Sequence, residues 1–330
     1  MRNQPAENSM IVIGAGMAGL LAAHRLQSAG RPVVVLEKAR GVGGRMSVRR
    51  SAEGNWDHGA QFFAARESAF RELTDTWLRQ GLLREWGAGF PSASGQPVGA
   101  VETRYCGRHG MNEVAKHLAR DLTVHTSWRA WAISRTDGGW RVVSDVGQEF
   151  FARAILVTTP VPQALALFDQ GDIPLPAVQR EQLESLTYQK CLALLLALDG
   201  PSRLPDPGGM FSTGEPVAWL ADNYRKGISA DGYTVTILAG PGFSVRHWDD
   251  PPAEICQRLK TAAAPWLGAD MKSYQLHRWR YSQPLVVYPE RFFRVDTPAP
   301  LLLAGDAFGG PRVEGAALSG LAAAEWLLNQ

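Results

Sequence analysis

The run WRYSQP, Trp279 to Pro284, brings an indole, a guanidinium, a phenol and an amide together within six residues. Such large side chains, rich in hydrogen-bonding groups, suit a flat, polar ligand: the rings stack and the guanidinium meets an anion or a hydroxyl. On a strand, Trp279 and Tyr281 share one side and Arg280 faces the other, so the three cannot line one surface equally. The plain structural alternative is two core aromatics and a salt-bridged arginine.

A second set of residues opens the chain. Gly14, Gly16 and Gly19 give GxGxxG between a β-branched run, MIVI, and an alanine-rich helical run that ends at Gly30. The first glycine permits a tight turn, the second lets backbone amides approach a pyrophosphate, and the third lets the helix pack on the sheet. The helix N-terminus favours the anion. Glu37 closes the next strand, VVVLE, 18 residues after Gly19, where a carboxylate can accept hydrogen bonds from an adenosine ribose and disfavours a 2′-phosphate. This unit alone fits either FAD or NAD. Three further pieces decide between them: GVGGRM, where Gly43 and Gly44 allow close approach and Arg45 can neutralise a phosphate; DHGAQFF, whose Gly59 and Ala60 let a flat ring lie against the backbone; and AGD, ending in Asp306, before VEGA at a helix start.

The elements that must position these residues follow from periodicity. Residues 65 to 81 read as a surface helix with Phe70, Leu73, Trp77 and Leu78 on one face, followed by a Gly, Ser and Pro-rich stretch to about Ala100. Residues 110 to 120 read as helical. LTVHTSW, WAISR, GWRVVSD and EFFARAILVTTP read as consecutive strands. Beyond Pro160 come a helix near 176 to 187, the strand CLALLLAL, a Pro/Gly loop at 200 to 216, strands at AWLAD and YTVTILAG, a helix at 253 to 266 and the strand carrying WRYSQP. The tail returns to the style of the opening: strand, Gly-Asp turn, helix of small residues. The expected fold is α/β, with residues 1–62, 100–165 and 284–330 forming a Rossmann-type nucleotide-binding domain. Residues 63–99 and 166–283 would form a discontinuous α+β substrate domain.

With 330 residues, 45% hydrophobic and 20% charged, the chain is long enough for about two cores. Its formal charge of +2 and lack of single-sign runs give no electrostatic footprint for nucleic acid or a membrane surface, so a small molecule is the expected partner; nothing identifies partner proteins. The polar residues 1 to 10 read as a short disordered leader rather than a signal peptide. No apolar run reaches the roughly 20 residues of a membrane helix. Cys106, Cys191 and Cys256 lack CxxC spacing, which gives no metal site and points to reduced thiols in the cytoplasm. No HExxH, GxSxG or paired carboxylates at helical spacing point to hydrolysis or metal catalysis.

GAGMAG, VLEKARGVGGRM, DHGAQFF and LLLAGDAFGGPRVEGAALSG, in this order, resemble the FAD-dependent amine-oxidase superfamily of two-domain flavoproteins, with its p-hydroxybenzoate hydroxylase-like topology. Gly59 to Gln61, TTPVP at 158 to 162 and WRYSQ are similar to its renalase branch in particular. The resemblance implies that Ala15, Gly16, Met17 and Ala18 line the pyrophosphate turn, Glu37 takes the ribose and Arg45 sits by the phosphates. It implies further that Ala130 meets adenine through its backbone, Gly59, Ala60, Gln61 and Phe62 flank the flavin, Asp306 takes the ribityl chain and Val313 offers its amide to the pyrimidine edge. Lys38, Gly44, Met46, Thr159 and Gly305 complete the implied cofactor set. FAD would be non-covalent, because no cysteine or histidine stands where the superfamily attaches it.

In this superfamily a hydride passes from substrate carbon to flavin N5 and the electrons go on to oxygen, so the cofactor carries the hard chemistry. The renalase-like reading is oxidation of 2- or 6-dihydro-NAD(P) to NAD(P)+ with O2 reduced to H2O2. Trp279 or Tyr281 would stack on the dihydropyridine, and Asn223, His247 and Gln61 would be the polar residues of the site. Oxidation of an amine or another carbon-hydrogen donor is the alternative, and a non-catalytic dinucleotide-binding redox sensor is the alternative of another class.

Overall fold

The computed structural model describes residues 9–96, 98, 101–212 and 214–330; most of the expected leader and the expected boundary at 99/100 lie outside them. The chain divides into two units. The first comprises the described residues of Met1–Gly44 with Ala115–Thr187 and Gln283–Gln330, and the second comprises Arg45–Val114 and Tyr188–Ser282.

The first unit is built on a six-stranded sheet in the order Phe292–Arg294, Leu301–Ala304, Ala154–Val157, Met10–Ile13, Val33–Leu36, Thr123–His125. All pairings are parallel except that of Phe292–Arg294 with its neighbour. MIVI, AILV and LLLA are buried along their whole length, the run expected of parallel strands covered on both faces. Met10–Ile13 lies between the strand that follows it and one that returns much later in the chain. Its carboxyl end is therefore a topological switch point, where ligands of open α/β sheets bind. A separate antiparallel sheet, Glu149–Ala152, Gly139–Ser144 and Ala130–Thr136, belongs to the same unit.

The helices Met17–Ser28 and Val313–Leu328 pack on each other through small residues. A Cβ on Gly320 would lie 2.1 Å from Ala18 O, so the two backbones touch there. Arg25 and Glu325 bridge the same helices at the surface, where such a pair adds little.

The second unit has a five-stranded sheet in the order Gly209–Phe211, Val217–Asp222, Thr234–Ala239, Tyr188–Leu198, Met271–Pro284, so the strand carrying WRYSQP is an edge strand. Leu192, Leu194, Leu196, Ile237, Ile255 and Leu259 form the centre of its core, with the Pro252–Leu267 helix packed on the sheet.

The sequence-derived boundaries differ from these units, for physical reasons. Gly54–Asp57 belongs with the second unit because Trp56 Nε1 donates to Leu196 O at 2.9 Å, Thr234 Oγ1 to Asn55 O at 2.7 Å and Thr236 Oγ1 to Asp57 O at 2.9 Å. Residues 166 to 187 stay with the first, where the Val161–Gln170 helix packs on Ala130–Thr136. That helix was missed because TTPVP reads as a break, although proline is well accommodated in a first helical turn. EFFARAILVTTP, expected as one strand, holds two strands in two sheets, and the loop at 200 to 216 contains the strand Gly209–Phe211. On the Ser68–Arg79 helix the buried face is Phe70, Thr74 and Trp77, with Leu73 and Leu78 at its flanks. Thr74 is accepted there because its hydroxyl donates to Phe70 O at 2.8 Å.

Replacing Gly320 by Val forces a side chain between two touching backbones. It should cost about 1–3 kcal/mol, as overpacking does, read as a lowered urea midpoint; an unchanged midpoint contradicts the packing.

Candidate functional site

In the first unit the residues expected at the cofactor gather at the carboxyl ends of adjacent parallel strands. Gly14, Ala15 and Gly16 follow Met10–Ile13; Glu37 and Lys38 follow Val33–Leu36; Thr159 follows Ala154–Val157; Gly305 and Asp306 follow Leu301–Ala304. Gly14 has φ +109°, and a Cβ there would come 2.7 Å from Thr158 Oγ1. A Cβ on Gly19 would meet Gly14 O at 2.0 Å, whereas nothing lies within 4 Å of one on Gly16. The turn is thus closed on its inner side and open at Gly16.

Glu37 is buried and shapes the turn: Ala15 N donates to its Oε2 at 2.8 Å and Ala39 N to its Oε1 at 2.7 Å. Gly43 N donates to Ala15 O at 2.8 Å, and a Cβ on Gly44 would stand in ordinary contact with Gly16 Cα, at 3.5 Å. No side chain caps the helix that begins with Met17 and Ala18, or the one that begins with Val313, which leaves their first amides for an anion or a ring carbonyl. The buried Thr159 hydroxyl has no hydrogen-bond partner. Trp128 N donates to Glu37 O at 2.9 Å, which carries the chain past Glu37 shortly before Ala130. Lys38 turns to Gln163 Oε1 at 2.8 Å. An open glycine turn, two uncapped helix starts, a buried acid beside the turn and an unpartnered hydroxyl, all at the carboxyl ends of one sheet, fit FAD.

The second unit holds Arg45, Met46, DHGAQFF and WRYSQ. A Cβ on Gly59 would lie 2.0 Å from Arg45 O and 3.3 Å from the Trp279 ring, so only glycine fits. Ala60 N donates to Arg45 O at 2.9 Å, Arg45 Nη1 donates to Ser282 O at 3.2 Å, and Met46 is buried. Trp279 Nε1 donates to His58 O at 2.7 Å, and the indole stacks on the His58 ring with centroids 5.2 Å apart. His277 completes the group, 4.3 Å from Trp279 and 4.9 Å from His58. Tyr281 packs on Tyr188, while Arg280 lies over Trp248, so the strand's two faces divide as alternation requires.

Burial pushes the His58 imidazole down to about 3, with His277 and Arg49 adding to the effect. Burial and then Arg49 bring His277 down to about 4. Both rings are therefore neutral near pH 7. Beneath them, Asp57 and Lys226 form an ion pair at 2.7 Å with both side chains fully buried. Lys226 also donates to Gln61 O and lies over the Trp86 ring, and Asp57 Oδ1 accepts Met111 N at 2.8 Å. Gln61 Nε2 donates to Asp57 O at 2.7 Å, and its buried Oε1 has no partner. Phe62 belongs to an aromatic nest with Trp86, Phe90 and Trp219.

Among the described residues no hydrogen bond or ring contact joins Asn223 or His247 to Trp279, although Asn223 meets Asp57, the residue before His58. Asn223 is fully buried, accepting Asp57 N at 3.4 Å and donating to Thr234 O and Thr236 Oγ1, so its amide serves the framework. His247 Nδ1 pairs with Asp250 Oδ2 at 2.7 Å and its ring packs on Phe243. The residues missed by sequence are His58, His277, Arg49 and the Asp57–Lys226 pair. Period two along the strand carries the signal for His277, which shares a face with Trp279 and Tyr281.

Two outcomes follow from this geometry. Lys226→Met leaves a buried carboxylate unpaired and should cost about 3–5 kcal/mol of unfolding free energy, with Asp57→Asn added to it recovering part of the loss; an unperturbed single variant contradicts the pairing. Unfolded imidazoles take up a proton near 6.5, the folded ones only near 3 and 4. Hence the unfolded state binds more protons in between: stability is full above pH 6.5 and falls towards pH 4, by about 1.4 kcal/mol per pH unit for each ring. Urea midpoints of His277→Gln should fall less steeply over that window than those of the unsubstituted protein, and parallel curves would contradict the burial of His277.

Comparison with known proteins agrees with this cradle. The family model for flavin containing amine oxidoreductase matches residues 87–328, and that for the NAD(P)-binding Rossmann-like domain matches residues 12–77. Renalase of Mus musculus is 26% identical over 296 residues, covering 83% of this chain and 84% of that protein. An L-amino-acid oxidase of Siganus canaliculatus is 39% identical over only 71 residues, 21% of this chain and 14% of that protein. The fold is shared with cyclohexylamine oxidase from Brevibacterium oxydans, with TM-score 0.74, 14% identity and coverage of 98% and 99% of the two chains. It is shared also with a protoporphyrinogen oxidase-like protein from Exiguobacterium, with TM-score 0.72, 14% identity and coverage of 99% and 100%. FAD is thus the cofactor of this chain, and similarity to the renalase branch runs along most of the sequence. The chain belongs to the flavin-containing amine oxidoreductase family.

Proposed function

We propose that the protein oxidises 2- or 6-dihydro-NAD(P) to NAD(P)+, with O2 reduced to H2O2. Bound FAD supplies the hydride acceptor, its N5, and the route by which the electron pair reaches oxygen. The observation that carries this reading is the neutral aromatic surface of His58, His277 and Trp279. A dihydropyridine arrives neutral and leaves as a pyridinium by losing a hydride alone. An amine arrives as an ammonium ion and must first lose a proton to a base.

The two imidazoles beside Trp279 are poor bases, since burial holds them far below the ordinary histidine value. Asp57 is committed to Lys226. Trp279, fixed by its hydrogen bond to His58 O, offers a ring that a nicotinamide can meet, and Tyr281 extends the same strand face. Gln61 Oε1, buried and unpartnered, is a carboxamide acceptor for a ligand N–H. In the cradle the first amides of the Met17 and Val313 helices would hold phosphate and ring oxygen, and Glu37 and Asp306 would hold hydroxyls. FAD is held without a covalent bond in this reading. The free, buried state of all three cysteines supports action in the cytoplasm, which keeps thiols reduced.

The test is anaerobic mixing of the yellow protein with 2-dihydro-, 6-dihydro- and 1,4-dihydro-NAD and, separately, with amines. Fast bleaching of the flavin band by an isomeric dihydropyridine alone is expected. Bleaching only by an amine would assign the protein to amine oxidation, and a colourless protein that binds NAD would assign it to dinucleotide sensing.

A further inference from the structure

Arg49 sits in the Val48–Ser51 strand beside Arg50, and the two side chains fall on opposite faces. Arg50 Nη2 is engaged, donating to His109 O and Asn112 Oδ1 at 3.3 Å. Arg49 is not: its Nε is buried without a hydrogen-bond partner, and among the described residues no carboxylate pairs with it. A half-buried guanidinium that has lost water and gained no acid is a costly arrangement unless a ligand supplies the negative charge.

Its neighbours point to the same chemistry. Arg49 stands opposite Trp56 across the ladder of Val48–Ser51 with Gly54–Asp57, two residues before His58, and its charge helps to lower the pKa of both His58 and His277. His58 is 5% exposed; its Nδ1 lacks a well-formed hydrogen bond, its Nε2 has a long 3.4 Å contact with Ser47 Oγ, and the backbone of Trp56 and of Ser47 lies within reach of the ring. Half-buried His277 makes ring contacts with His58 and Trp279, and among the described residues its side chain makes no hydrogen bond. Asp57, the residue before His58, is taken by Lys226.

We propose that Arg49, His277 and His58 form a subsite for a phosphate-type oxyanion carried by the substrate. This rests on the reading of the substrate as a dinucleotide. The guanidinium fork and two imidazole N–H groups offer more donors than the two oxygens of a carboxylate can use, and match the three or four of a phosphate. Neutral imidazoles donate to the anion without adding charge, so Arg49 supplies the Coulombic attraction and the rings fix the position. Trp279, packed against both histidines, ties the subsite to the strand face that meets the nicotinamide in the proposed reaction.

The test is calorimetric titration of the FAD-loaded protein with inorganic pyrophosphate and, in a second arm, with acetate, with histidine proton resonances followed in parallel and the flavin band checking that FAD stays bound. Pyrophosphate should bind with displacement of the His277 resonance and a raised His277 pKa, and acetate should bind far more weakly. Arg49→Gln should weaken pyrophosphate about ten- to hundredfold, the size of a charged hydrogen bond, and Arg49→Lys should restore part of it. Equal affinity in Arg49→Gln, acetate binding as tight as pyrophosphate, or an unmoved His277 resonance would each overturn the subsite; should Arg49→Gln not fold, the unsubstituted protein still decides through the last two. Arg49-dependent pyrophosphate binding without bleaching by any dihydropyridine would keep the subsite and remove the proposed reaction, and the converse would do the opposite.

Discussion

Backbone pressed against backbone, with no room for a Cβ between, is the constraint on which both units depend. At Gly19 the opening helix touches the turn that precedes it, at Gly320 the last helix touches the first, and at Gly59 the DHGAQFF segment lies on Arg45 O. Each approach removes a side chain to bring amides, a helix start or a flat surface to a place where a ring or a phosphate can lie. A Cβ at any of these positions would sit about 2 Å from a carbonyl oxygen, a distance no local relaxation accommodates. The small-residue character of GAGMAG and EGAALSGLAAAEW is therefore a packing requirement that also creates binding surface.

The second unit adds an electrostatic lock. Asp57 and Lys226, both without solvent contact, tie the segment before Gly59 to Gln61 O and to Met111 N. A buried pair of this kind is weak evidence of stability in itself, because desolvation offsets much of the attraction. Its effect is positional: the ion pair, Gln61 O and Met111 N meet at one point and hold the segment from Asp57 to Gln61. His58, carried on that segment, then receives the Trp279 indole on its ring and its carbonyl.

Much of this was legible in sequence where a motif states its own geometry. GxGxxG between a strand and a helix, Glu37 closing the next strand and AGD before VEGA placed the sheet-edge cradle, because each needs only local backbone rules. What stayed hidden depends on distant partners. Asn223 in ADNYRK reads as a polar residue of the substrate site, and the partners that take its hydrogen bonds, the Thr234–Ala239 strand and Asp57 N, are distant in sequence. Lys226, three residues on, carries no local signal of burial and is fully buried because an acid far earlier in the chain meets it. Arg49 stands in an arginine pair whose members separate only when the strand face is known, and the Val161–Gln170 helix hid behind prolines that suit a helix start.

The account turns on hydride loss from a neutral donor beside imidazoles that do not titrate near pH 7. The rate of anaerobic flavin bleaching by an isomeric dihydronicotinamide, measured from pH 5 to pH 9, tests this most directly. A flat profile without a solvent isotope effect is predicted, since burial brings His58 and His277 down to about 3 and about 4 and no proton leaves the donor. A rate that rises through an ionisation between pH 6 and pH 8, with a solvent isotope effect, would mean that a base takes a proton in the rate-limiting step and would contradict the account.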